Sequence, residues 1–282
     1  MALIPPDKET TVSKIWEQWA KQKSTLRPTL GVSELGLECE RALWFRFRWF
    51  KIPEFEPRLL RLFDHGKREE IRVFEDLRSI GVTVDAFDSN GGQWSFREIN
   101  GHLSGSMDAV IQGIPESKQW HILEIKTHND KSYKDLQKNG VKKSKYQHYV
   151  QMQVYMGLTS LDRALYFAVN KNDDDIYIER INFDKSFYDT MLQKAKRIIY
   201  SDLPLSKIND HPSFYVCKMC NFNSICHNNG NFLKNCRTCV NSKPVEDGKW
   251  RCNKLDKNIE EKEQLIGCDN YEAIKMVPKR GY

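Results

Sequence analysis

Two short segments carry side chains at odds with their apolar neighbours. They are Gly105-Ser106-Met107-Asp108-Ala109-Val110-Ile111 and, one turn later, His121-Ile122-Leu123-Glu124-Ile125-Lys126-Thr127. In a strand alternate side chains share a face, so Glu124 and Lys126 point one way while Leu123 and Ile125 point to the core. If the preceding strand pairs with this one, Asp108 comes beside Glu124, and a carboxylate pair forms with a lysine next to it. Such a pair repels itself unless a cation sits between. Hard oxygen ligands with room for water and phosphate suit Mg²⁺ or Mn²⁺ rather than zinc. Glu124, Asp108 and the carbonyl of Ile125 would hold the ion, whose bound water becomes a better nucleophile near neutral pH. Lys126 would orient or deprotonate that water, or offset charge on a pentacoordinate phosphorus, and the sequence leaves these roles open. A lone Glu-x-Lys also recurs by chance, with the aspartate simply exposed and the Glu–Lys pair an ordinary strand neighbour.

Two flanking features add weight. Gln151 and Tyr155 lie four residues apart on one helical face, in position to touch a phosphate or a terminal nucleotide. Upstream, Gly66-Lys-Arg-Glu-Glu70 places Glu70 on a helix before the sheet, where it could complete a metal site. The ordered series Glu70, Asp108, Glu124-Ile125-Lys126 and Gln151 to Tyr155 resembles the PD-(D/E)XK nuclease superfamily, and within it the RecB-like exonucleases with their QxxxY motif. The resemblance covers roughly residues 33 to 227. It implies hydrolysis of DNA phosphodiester bonds dependent on a divalent metal, with Asp108 and Glu124 as ligands, Lys126 catalytic, and Gln151 and Tyr155 positioning DNA. Many RecB-like nucleases carry histidine four residues after the glycine, where this chain has Glu70, as phage-recombination exonucleases often do.

The elements that must position these residues can be read from hydrophobic periodicity. Thr11 to Ser24 reads as an amphipathic helix through Val12, Ile15 and Trp19, and a second helix runs from about Arg58 to Ser79 before Gly81. Val82 to Phe87, Gln93 to Glu98, Gly101 to Ile111 and Trp120 to Thr127 read as an antiparallel meander. Helices follow at Ser132 to Asn139 and Lys143 to Leu158. Strands then span Arg163 to Asn170 and Asp175 to Ile181, and a last helix spans Phe183 to Ser201. The expected fold is α/β, a mixed central sheet flanked by helices. The resemblance makes it a restriction-endonuclease-like core.

Cysteines divide the remainder. Cys39 stands alone, and seven others crowd the last quarter. Cys217-x2-Cys220-x5-Cys226 together with Cys39 resembles the set in iron-sulfur RecB-like nucleases, which implies a 4Fe-4S cluster that clips the ends of the core together. Zinc on Cys217, Cys220, Cys226 and His227, with Cys39 merely buried, is the alternative. Cys236-x2-Cys239-x12-Cys252-x15-Cys268 has zinc-ribbon spacing, and four thiolates on Zn²⁺ would supply folding energy to a polar segment too small for its own core. Two domains are therefore expected: a nuclease domain over 1–230, and a small Cys-rich module over 231–282.

Composition sets the outer bounds. The 282 residues carry 44 Lys and Arg against 38 Asp and Glu, a net +6, with 40% apolar and 11% aromatic residues. Global disorder is excluded, and no apolar run reaches the ~20 residues of a spanning helix. The segment Met1 to Thr10 lacks a secretory pattern, so a reducing, cytoplasmic setting is expected, that of the host cell if the chain is phage-encoded. Arg41, Arg46, Arg48 and Lys51 interleave with Trp44, Phe45, Phe47, Trp49 and Phe50, which read as packed aromatics with the arginines left open. Lys138, Lys142, Lys143 and Lys145 could border a phosphate path or form a solvated run. His65, His128 and His148 fall near the site without an assigned role. The function expected is a metal-dependent DNA exonuclease of phage-recombination or repair type. Its partners would be DNA, a recombination or replication protein, and further copies of the chain. A non-catalytic nucleic-acid-binding module stabilised by its metal sites is the alternative.

Overall fold

The computed structural model describes residues 9–22, 24–88 and 90–276. The sequence reading of Met1 to Thr10 therefore lies almost wholly outside the described residues. Helix α1 (Thr11–Ala20) is capped by Thr10, whose hydroxyl accepts from the Ser13 amide. It stops four residues short of Ser24 and buries none of its residues, because it lies along the outside of a longer helix instead of entering the core.

Strand β1 (Leu30–Gly31) and helices α2 (Glu40–Phe47) and α3 (Pro57–Ser79) lead to the sheets. The expected meander becomes two sheets. β2 (Thr83–Asp85), β5 (Ala109–Ile114), β6 (Ser117–His128), β7 (Arg163–Asn170) and β8 (Ile176–Asn182) form a five-stranded sheet in the order β2-β5-β6-β7-β8. β3 (Ser95–Glu98) and β4 (Leu103–Ser106) pair instead with β1 in a small separate sheet. The run expected over Gly101 to Ile111 therefore breaks at Met107 and Asp108, where the chain leaves one sheet for the other. Met107 is tied at that crossing, its amide donating to Trp94 (2.9 Å) and its carbonyl accepting from Gln93 (3.0 Å).

β5 and β6 are antiparallel, with Ala109 opposite Leu123, whereas β6 and β7 are parallel, with Glu124 opposite Tyr166. A parallel pair needs a long crossover. α4 (Asp130–Ser144) and α5 (Tyr146–Thr159) provide it, breaking where Lys145 caps α5 and kinking at Gly140, whose φ of 69° favours glycine. Glu179 accepts from the Val141 amide just past that kink (2.8 Å).

Both faces of the sheet are covered. On one, Leu123, Ile125, Leu165 and Phe167 pack with Val73 and Leu77 of α3. On the other, Ile122, Ala164, Tyr166 and Ala168 pack with Val150, Val154 and Tyr155 of α5 and with α6 (Lys185–Tyr200). This is a mixed α/β sheet flanked by helices.

After α7 (Tyr215–Lys218) and α8 (Asn223–Asn228), the tail builds a small sheet of β9 (Ser242–Pro244), β10 (Trp250–Cys252) and β11 (Lys257–Ile259), followed by α9 (Glu261–Gln264). It joins the main core: Trp250 is fully buried against Phe47, ring centroids 5.3 Å apart. The guanidinium of Arg237 stacks 3.6 Å from the Trp49 ring centroid and donates to the carbonyls of Pro28 (2.9 Å) and Phe47 (3.0 Å). Arg48 reaches the other way, to the Arg237 carbonyl at 3.1 Å. The aromatics of α2 are buried as expected. Arg41 and Arg48 are buried with them, holding backbone carbonyls, while Arg46 stays outside on Glu34. No described helix is long and apolar enough to cross a membrane.

Candidate active site

Asp108 occupies the crossing between the two sheets, one residue before β5, and its Oδ2 accepts from the Ile125 amide at 2.7 Å. That bond pins the aspartate to the strand bearing Glu124. Glu124 is wholly buried on the α5 face, yet its one-residue offset from Leu123 sends it away from the α3 side, where Leu123 and Ile125 pack. Gln151 donates to its Oε2 (3.0 Å), and Lys126 Nζ forms an ion pair with its Oε1. Apart from this ammonium, no group donates to the buried Oε1. Lys126 also donates to the Ile125 carbonyl at 3.1 Å.

Glu70, near the middle of α3, lies close enough to exchange charge effects with Asp108 and Lys126. Burial first, then Asp108, pushes its carboxyl up to about 7, against the pull of Lys126 and Lys67. Burial likewise dominates at Glu124, aided by Asp108 and Glu70 and opposed by Lys126, and pushes it up to about 8. Burial would lower Lys126, but Glu124, Asp108 and Glu70 more than offset that and hold the ammonium charged. Three acids thus crowd one lysine, and Glu70 and Glu124, not the lysine, resist ionisation.

α5 sets the roof. Tyr155 donates to the Ser106 carbonyl (2.7 Å) and stands 3.4 Å from the Gln151 amide nitrogen. Burial and the Glu124 charge keep its hydroxyl protonated. Close approach here depends on Gly105, where a Cβ would fall 2.7 Å from the Tyr155 ring. Glu70, Asp108, Glu124, Lys126, Gln151 and Tyr155 therefore lie together around the middle of α3, the start of β5, the second half of β6 and α5.

The ligand sets expected from sequence are not arranged as such. Among the described residues, no three His, Cys, Asp or Glu side chains stand ready to hold a metal ion. For Glu70, Asp108, Glu124 and the Ile125 carbonyl, the reason is visible: Lys126 and Gln151 take Glu124, the Ile125 amide takes Asp108, and Lys126 takes the Ile125 carbonyl. The chemistry of the donor set, three carboxylates gathered around one ammonium, nevertheless suits a hard dication. Cys39, Cys217, Cys220 and Cys226 line one recess of about 340 Å³, and Cys236, Cys239, Cys252 and Cys268 line another of about 20 Å³. None of the eight is in a disulfide, and among the described residues neither set stands as three or more ready ligands. Burial, then the neighbouring Cys268, Cys239 and Cys252, pushes the Cys236 thiol up to about 11.

A buried group beside the acids escaped the sequence reading. The Tyr166 hydroxyl, opposite Glu124 across β6 and β7, lies 2.8 Å from His128 Nε2 and 2.7 Å from His148 Nδ1. His128 Nδ1 continues to Ser132 Oγ at 3.1 Å. Burial drives both imidazoles well below their usual range, to about 4 for His128, so both rings are neutral. No spacing rule links residues 128, 148 and 166, because a strand, a crossover helix and the next strand bring them together. Among the lysines, Lys142 lies over the Tyr149 ring (5.0 Å) and Lys145 pairs with Asp135. The open phosphate run envisaged from sequence is partly committed to packing.

A buried acid-lysine cluster thus lies on a mixed sheet of an α/β core, roofed by the helix that carries Gln151 and Tyr155. The model of the PD-(D/E)XK nuclease superfamily matches residues 5–227, and the chain belongs to that superfamily. No curated protein matches it. Solved structures similar to it include SSO0001, at 19% identity and a TM-score of 0.43, covering 76% of this chain and 93% of that one. Another is an alkaline exonuclease, LHK-Exo, from Laribacter hongkongensis, at 15% identity and a TM-score of 0.44, covering 64% and 90%. A phage related exonuclease from Haemophilus somnus 129PT is 15% identical with a TM-score of 0.41, covering 60% and 91%.

Proposed function

We propose that the chain is a divalent-metal-dependent DNA exonuclease that hydrolyses phosphodiester bonds, of the phage-recombination or repair type. The observation that carries the reading is the convergence of Asp108, Glu124 and Lys126, with Glu70 beside them, in a site where burial makes carboxylate charge costly. Glu70, Asp108, Glu124 and the Ile125 carbonyl would hold Mg²⁺ or Mn²⁺, which supplies a water of lowered pKa and a positive charge against the scissile phosphate. Lys126 keeps its proton and sets a fixed positive charge beside the reacting phosphorus, so offsetting charge and orienting water fit it better than abstracting a proton. Gln151 keeps Glu124 aimed. Tyr155, anchored on Ser106, holds α5 against the strand that delivers Asp108.

The same reading assigns the cysteines structural work. Cys39, at the start of α2, shares a recess with Cys217, Cys220 and Cys226, which supports a 4Fe-4S cluster closing the core. The second recess, where four cysteines converge and the other three help push the Cys236 thiol up, supports Zn²⁺ on Cys236, Cys239, Cys252 and Cys268.

The test is digestion of end-labelled linear DNA with Mn²⁺ or Mg²⁺. Wild type should release nucleotides from an end. Glu124→Ala and Lys126→Ala should each lose at least ~100-fold in rate, with unchanged circular dichroism. Salt-dependent DNA binding without cleavage would leave a binding module instead.

A further inference from the structure

His121 begins the edge of a second polar recess, on the other side of the sheet from Glu124. It shares the strand parity of Leu123 and Ile125, which pack toward α3. The β7–β8 register pairs Arg163 with Asn182 and Leu165 with Arg180, so these residues share that same face. His121, Arg163, Arg180 and Asn182 line a recess of about 250 Å³.

The histidine is the telling member. It has no solvent-exposed surface, and its Nδ1 lies 2.9 Å from the Gln119 carbonyl, which assigns the ring proton to that nitrogen. Nε2 is then a buried acceptor, and it has no partner. Two guanidiniums stand nearby. Arg163 gives one N–H to Asp162 (2.7 Å) and Arg180 one to the Glu116 carbonyl (3.2 Å), and each keeps further donors from its five. A ligand that satisfies the recess must therefore be anionic for the arginines and must also carry an O–H for Nε2. Hydrogen phosphate and a singly protonated phosphomonoester have both. Sulfate and an internal phosphodiester are anionic but have no proton to give.

We propose that the recess formed by His121, Arg163, Arg180 and Asn182 binds a phosphomonoester or hydrogen phosphate, apart from the acid-lysine cluster. Calorimetric titration of the full chain near pH 6.5, carrying Glu124→Gln to prevent turnover, tests it with inorganic phosphate, sulfate and a 5′-deoxymononucleotide. Phosphate should bind at least tenfold tighter than sulfate, and Arg180→Gln, on the exposed rim, should weaken phosphate binding at least tenfold. His121→Phe should abolish the preference for phosphate over sulfate. A mononucleotide that binds tighter than phosphate marks a nucleotide or strand end as the source of the group; equal affinity marks free phosphate. Sulfate binding as tightly as phosphate, or an Arg180→Gln chain that binds phosphate like its parent, overturns the proposal. Arg180→Gln in the otherwise wild-type chain should leave the rate of DNA digestion unchanged, which separates this recess from the nuclease reading.

Discussion

Replacing Glu124 by glutamine should change how stability depends on pH more than it changes the fold. The carboxyl ionises at about 4.5 when the chain is unfolded and at about 8 in the folded protein, because burial opposes its charge. Between those limits the folded state holds a proton that the unfolded state has lost, so stability is full below pH 4.5 and falls as pH rises toward 8. At about 1.36 kcal/mol per unit, the rise from 4.5 to 7 costs about 3 kcal/mol. Glu70 adds a smaller loss over 4.5 to 7, about 1 kcal/mol after allowing for its partial exposure. Lys126 is charged throughout this range and contributes no slope. His128 and His148, kept neutral by burial, act oppositely: they stabilise above pH 6.5, and that stability is lost as pH falls. The difference between wild type and Glu124→Gln cancels the histidines and reports Glu124 together with its coupling to Glu70. Urea unfolding followed by circular dichroism at pH 5, 6, 7 and 8 should show the variant gaining about 3 kcal/mol on wild type between pH 5 and 8. Adding Mn²⁺ at a hundredfold excess over its dissociation constant should stabilise wild type by about 2.7 kcal/mol and the variant far less. Parallel pH profiles for the two proteins, or equal stabilisation by Mn²⁺, would refute the reasoning.

Gly105→Ala drives a methyl group into the buried Tyr155 ring and should cost about 1–3 kcal/mol in urea unfolding, together with a clear loss of DNA digestion. An alanine variant with wild-type stability and rate would show that Tyr155 is free to move. Arg237→Ala leaves the Pro28 and Phe47 carbonyls without their donor and opens a cavity beside Trp49 and Trp250. It should lower stability by about 3–5 kcal/mol, and a loss below 1 kcal/mol in the same assay would remove the tail from the core's support.

What could be read from the chain alone was whatever local periodicity and short spacing encode. Strand alternation placed Glu124 and Lys126 on one face, helical spacing put Gln151 and Tyr155 together, and the long helix bearing Glu70 ended where expected, at Ser79 before Gly81. The order of elements and the α/β class followed from the same periodicities. Tertiary structure decided what depends on contacts between distant segments. It split Gly101 to Ile111 between two sheets at Asp108, because the small sheet pairs with β1, some 75 residues earlier, a partner no local pattern announces. It drew His128, Tyr166 and His148 into one buried chain and set His121, Arg163 and Arg180 around one recess, since register across strands is fixed by packing both faces of the sheet at once. It also buried the cations Arg41, Arg48 and Arg237, which composition alone assigns to the surface; aromatic faces and backbone carbonyls replace the water they give up.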